Sequence, residues 1–109
     1  MAITTHVLDT STGVPAAGVV VRLERLDGTT TVAVGDSRTD ADGRCRELTV
    51  ESVPPGIYRL VFATGPWFAT TGRTTFHPEI VVTFEVTDTR HHHVPLLLAP
   101  FGYSTYRGS

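Results

Sequence analysis

The sequence predicts an all-β fold in which two sheets pack face to face. Three observations predict it. Polar and apolar residues alternate at strand period, as where Arg22 and Glu24 interleave with Val21 and Leu23. Turn formers recur at Asp27-Gly28, Asp40-Ala41-Asp42-Gly43 and Pro54-Pro55-Gly56. Only Gly65 to Thr75 breaks the β pattern clearly. Seven or eight short strands with such spacing form a sandwich of two sheets, with a simple barrel as the alternative.

Each element follows in order. His6-Val7-Leu8-Asp9 is a short strand that runs into the Gly/Pro-containing loop Thr10 to Ala16. Val19 to Leu26 is a strand that ends at Asp27-Gly28, and Thr30 to Val34 starts the next. After the Pro54-Pro55-Gly56 turn, Ile57 to Ala63 forms a buried strand. Trp67 and Phe68 anchor one short helix within Gly65 to Thr75. Pro78 to Val86, with Ile80-Val81-Val82 inside it, is the clearest strand. His91 to Leu98 follows, and Tyr103 to Arg107 forms the last. There is no internal repeat, linker or low-complexity segment.

Composition narrows the function. A chain of 109 residues supports one hydrophobic core, so residues 1–109 are expected to form a single domain. With 40% hydrophobic and 18% charged residues, it has the balance of a folded globule. The net charge is -2, with nine arginines and no lysine, which leaves no electrostatic footprint for nucleic acid. The absence of lysine excludes Schiff-base chemistry on a side-chain amine. Cys45 is the only cysteine, so no intrachain disulfide forms, as suits a reducing compartment. Met1 to Val7 lacks the charged and apolar parts of a signal peptide, and no apolar run reaches the length of a membrane span. A cytoplasmic protein without a membrane partner is expected.

Several residues carry possible chemistry. His91, His92 and His93 are consecutive, so in a strand His91 and His93 share one face and His92 takes the other. Two imidazoles on one face form a reactive floor, a pair of metal ligands, or simply a polar surface. His6 stands at the entrance of a loop, where functional side chains are often presented. Arg44 follows Gly43, whose freedom at positive φ can aim the next residue into a cleft. On chemistry alone, a surface pair of Arg44 with Asp40 or Asp42 is favoured. The acidic loop is too short for a calcium loop and lacks its terminal Glu. His77 is expected in a turn or packing role, and Cys45, with no base partner, as buried filler. The end of the chain, Tyr106-Arg107-Gly108-Ser109, bears groups that stack, hydrogen-bond and bind anions, or that pack as an ordinary edge strand. Phosphate-loop, nucleophile-elbow and Cys-x-x-Cys motifs are absent.

Four stretches together resemble the 5-hydroxyisourate hydrolase family, the enzyme branch of the transthyretin-like proteins. They are His6-Val7-Leu8-Asp9 through Gly13-Val14-Pro15-Ala16, then Thr39 to Arg44, then Phe76 to Ile80, and finally His91 to Leu98 with Tyr106-Arg107-Gly108-Ser109. The terminal Tyr-Arg-Gly-Ser is the most specific, because the hormone-carrier branch lacks it. The resemblance spans essentially the whole chain. It implies a transthyretin-like β-sandwich of two four-stranded sheets with one short helix, assembled as a homotetramer with sites in clefts between paired dimers. It also implies that His6, Arg44 and His93 are catalytic and that His91, Tyr106, Arg107, Gly108 and Ser109 contact substrate. No cofactor and no required metal is implied. The middle histidine departs from the family, which often has tyrosine there; His92 faces away from the site and little consequence is expected.

The implied reaction opens the six-membered ring of 5-hydroxyisourate by attack of water, giving the ureido-imidazoline carboxylate. The His6 and His93 pair supplies the general base, with no choice between them. Arg44 stays protonated and stabilises developing charge. Two rivals remain: a small-ligand carrier of the transthyretin type, and a zinc hydrolase that uses His6, His91 and His93.

Overall fold

Strand period settles which side chains face inward. In β1 (Ile3–Asp9), Ile3, Thr5, Val7 and Asp9 point into the core, while Thr4, His6 and Leu8 take the opposite face. The computed structural model describes residues 3–49 and 52–109. Met1 and Ala2, part of the segment expected to lack a leader, lie outside the described residues.

The remaining elements are β2 (Val14–Pro15), β3 (Val20–Asp27), β4 (Thr30–Arg38), β5 (Arg44–Cys45), β6 (Gly56–Phe62), α1 (Thr64–Thr70), β7 (Ile80–Val86), β8 (His92–Ala99) and β9 (Gly102–Thr105). One sheet has the order β4-β3-β6-β7 and is antiparallel throughout. The other runs β2-β1-β8-β9, with β5 pairing against β1 as a fifth strand. Val7, Leu96 and Leu98 of that sheet and Val21, Leu23, Leu60 and Phe62 of its counterpart fill the space between them. Burying such aliphatic side chains contributes about 1.5–3 kcal/mol each relative to exposure. Phe68 of α1 is buried in the same core, and the Trp67 indole N–H donates to the Ala17 carbonyl at 2.8 Å. Pro66 stands in the first turn of α1, where its missing N–H costs no helical bond.

The two-sheet sandwich with one helix is the expected architecture, with differences at the edges. Four strands per sheet were anticipated, whereas the site sheet has five. The fifth arises because one edge of β1 is divided: β2 covers Leu8 and Asp9, and β5 covers Thr5 and His6. The last strand stops at Thr105 rather than continuing to Arg107. Thr105 stands opposite Leu96, and the next residue inward, Pro95, has no N–H for the ladder. The chain rejoins at Gly108, whose N–H donates to the His93 carbonyl at 2.8 Å. No described helix is long and apolar enough to cross a membrane.

Candidate active site

The outer face of the β1–β8 pair gathers the polar residues. These strands run parallel, and Thr4 lies beside His93 in their register. Across the other edge of β1, His6 stands directly opposite Arg44. The loop before Arg44 explains that placement. The Asp40 carboxylate accepts the backbone N–H groups of Asp42 and Arg44 at 2.9 and 3.0 Å, closing a tight turn. Gly43 completes it at φ +74°, and a side chain there would collide with the Val7 carbonyl oxygen.

The favoured surface pairing of Arg44 is not what forms. Arg46 takes the Asp40 carboxylate at 3.1 Å, while Arg44 lines a cavity of about 200 Å³. Thr4, Thr5, Arg46, His91, His93 and Ser109 complete its walls. Thus His91, His93, Arg44 and Ser109 share one pocket. His6 is half-buried beside Arg44 on the same face, and its charged form repels a charge on His93. Gly108 lies against the His93 ring: an added Cβ would stand 2.5 Å from its Cδ2. Tyr106 and Arg107 instead line a neighbouring cavity of about 340 Å³, together with His92, Val94 and the β7 residues Val82 to Glu85. His93 borders both cavities.

Electrostatics favour a neutral His93. Burial pushes its pKa below the ordinary imidazole value, and Arg44, His91 and His6 push it further in the same direction. A neutral imidazole next to a guanidinium is a base beside an anion-stabilising group. His91 and His93 tilt at 48° with centroids 6.2 Å apart. Between them lies Thr4, which sequence reasoning missed. Its hydroxyl is 2.7 Å from His91 Nε2 and 2.8 Å from His93 Nδ1. The only available signal was that Thr4 and His6 share a strand face.

The other histidines behave differently. His92 turns into the interior, 3% exposed, with Nδ1 2.7 Å from the Arg90 carbonyl oxygen. That oxygen only accepts, so Nδ1 carries the proton. His77 packs edge-on to Phe76 and Tyr103, which is the packing role expected of it. Cys45 is buried, and burial pushes its thiol pKa up, as befits filler. Among the described residues, no three His, Cys, Asp or Glu side chains are grouped to hold a metal.

Known proteins share this fold. The HIUase/Transthyretin family model matches residues 3–108. A 5-hydroxyisourate hydrolase of Caulobacter vibrioides is 48% identical over 112 residues, covering 98% of this chain and 97% of that protein. The structure of Klebsiella pneumoniae 5-hydroxyisourate hydrolase superposes with TM-score 0.88 at 41% identity and covers 100% of both chains. Sea bream transthyretin in complex with thyroxine gives TM-score 0.93 at 29% identity, covering 99% of this chain and 95% of that one. The backbone therefore fits both branches, while identity is higher to the hydrolases.

Proposed function

The chain belongs to the HIUase/Transthyretin family and is a hydrolase, and on that premise we propose that it opens the ring of 5-hydroxyisourate in urate degradation. The observation that carries the proposal is the pairing of a depressed-pKa imidazole, His93, with the Arg44 guanidinium in one small cavity walled by Ser109. A carrier site needs no such base.

Water enters beside His93, which takes its proton as the oxygen bonds to the activated ring carbonyl carbon. The tetrahedral intermediate bears an oxyanion, which Arg44 holds. Collapse breaks the carbon–nitrogen bond, and the imidazolium returns its proton to the departing nitrogen. The product is 5-hydroxy-2-oxo-4-ureido-2,5-dihydro-1H-imidazole-5-carboxylate. His6, across from Arg44, orients the guanidinium and the substrate. Ser109 and Gly108 close one wall. Tyr106 and Arg107 act from the adjoining cavity, reaching a site completed by other subunits of a homotetramer. The exposed aromatic residues Phe101 and Tyr103 on the last hairpin support that assembly. The substrate is reactive, so general-base help of about 10²–10⁴-fold suffices.

The decay of 5-hydroxyisourate absorbance provides the test. Arg44→Ala and His93→Ala are expected to lower kcat by about 10²–10³-fold, and His6→Ala by a smaller factor. Wild-type turnover in all three, with assembly intact, refutes the reading. No turnover by the unmodified protein would return it to the carrier branch.

A further inference from the structure

The Thr4 hydroxyl sits between two imidazole nitrogens, 2.7 Å from His91 Nε2 and 2.8 Å from His93 Nδ1, and is 6% exposed. A hydroxyl has one proton to donate and oxygen lone pairs to accept. It therefore cannot donate to both rings. At least one of the two facing nitrogens must carry a proton and donate to Oγ1. One oxygen thus links the tautomers of two residues 87 and 89 positions away in sequence.

The geometry points to Thr4 as the positioning residue that keeps the His93 proton on Nδ1 and leaves Nε2 bare for the reacting water. This rests on the reading of His93 as base. Thr4 occupies Nδ1, so Nε2 is the nitrogen free to meet water. Were Thr4 to donate to Nδ1, the neutral ring would carry its proton on Nε2 and could not accept another there. The productive chain is therefore His93 Nδ1–H to Thr4 Oγ1, and Thr4 O–H to His91 Nε2, with the His91 proton on Nδ1. His91 then acts through Thr4, as the acceptor that turns the hydroxyl the right way. Gly108 holds the same ring from its other edge, where any side chain would intrude. The ring's rotation is thereby fixed on both sides before substrate arrives. Such preorganisation lowers the entropic part of the barrier.

The test has a substrate-free arm and a kinetic arm. Long-range ¹H–¹⁵N spectra of the unmodified protein, above the His93 pKa, are expected to show its proton on Nδ1. A proton found on Nε2 overturns the proposal whatever the enzyme's activity. Thr4→Ser retains the hydroxyl and is expected to keep that tautomer and kcat within about threefold. Thr4→Val retains the shape but not the hydroxyl. It is expected to mix the His93 tautomers and lower kcat about tenfold or more with KM little changed. Thr4→Val with the same spectrum and wild-type kcat also overturns the proposal. Should Thr4→Val not fold, the spectra of the unmodified and Thr4→Ser proteins still decide. If the unmodified protein fails to hydrolyse 5-hydroxyisourate while its spectrum shows Nδ1–H, the hydrolase reading fails and the tautomer assignment stands.

Discussion

His93 shows how a single residue is tuned by what surrounds it. Burial disfavours its charged form, and Arg44, His91 and His6 add repulsion of like sign. Its protonation is thus delayed to a pH below the ordinary imidazole range. The acid limb of kcat/KM reports the base in the free enzyme. It should therefore lie below about 6.5, with rate retained as pH falls through that value. Arg44→Ala removes one repelling charge and should move the limb upward in the residual activity. A limb at or above the ordinary value in the unmodified enzyme would count against His93 as base. Three of the four stretches point to His6, Arg44 and His93 as candidates. Thr4 stayed hidden because Thr-Thr within a strand has no distinctive chemistry until a distant strand's register places His93 beside it. The fate of Asp40 was likewise illegible, since Arg44 and Arg46 lie two residues apart and only the turn geometry decides which one pairs with it.

At the scale of elements, the Asp40–Gly43 turn and β5 act as a bracket for Arg44. Gly43 has a conformation that L side chains rarely adopt, and its carbonyl accepts the Val7 N–H at 2.7 Å. Gly43→Ala imposes backbone strain of about 1–3 kcal/mol and presses a methyl group on the Val7 carbonyl. The expected result is a lower urea midpoint together with a disproportionate loss of kcat, because the bracket moves Arg44. A midpoint and kcat both unchanged would show that the turn does not position the arginine. Most strands were legible from alternation and turn residues, with ends displaced by a residue or a few. The helix was legible from Trp67 and Phe68 interrupting the β pattern. The parallel pairing of β1 with β8 was not, because it joins segments almost a chain length apart and leaves no local periodic signal. The short β2 and β5 have only two residues each, too few to show alternation.

Across the whole molecule, an ion pair ties the site sheet to the segment after α1 that connects β6 to β7 of the opposite sheet. Asp9 closes β1 on its buried face, 2% exposed, and meets the Arg73 guanidinium at 2.7 Å. Arg73 also donates to Ser11 and Thr71 and lies 5.0 Å from the Phe68 ring centroid and 5.6 Å from that of Trp67. Burial alone raises the Asp9 pKa, but the Arg73 and Ser11 hydrogen bonds and the Arg73 charge outweigh it and hold it below the ordinary value. The unfolded chain binds this proton more readily, so the pair's contribution is complete above the unfolded aspartate pKa and is lost as pH falls through the lower folded one. The two partners are not equivalent. Arg73 is 29% exposed and can turn to water if Asp9 is neutralised, whereas Asp9, 2% exposed, keeps only its Ser11 hydrogen bonds if Arg73 is removed. Arg73→Ala leaves a buried carboxylate unpaired and should cost about 3 kcal/mol. Asp9→Asn keeps a polar partner for the guanidinium and should cost about 1–2 kcal/mol. Urea unfolding at neutral pH and again near pH 3 checks both. The Arg73→Ala deficit should narrow in acid as its stranded carboxylate protonates, and equal costs at both pH values would show that this clamp does not join the two layers.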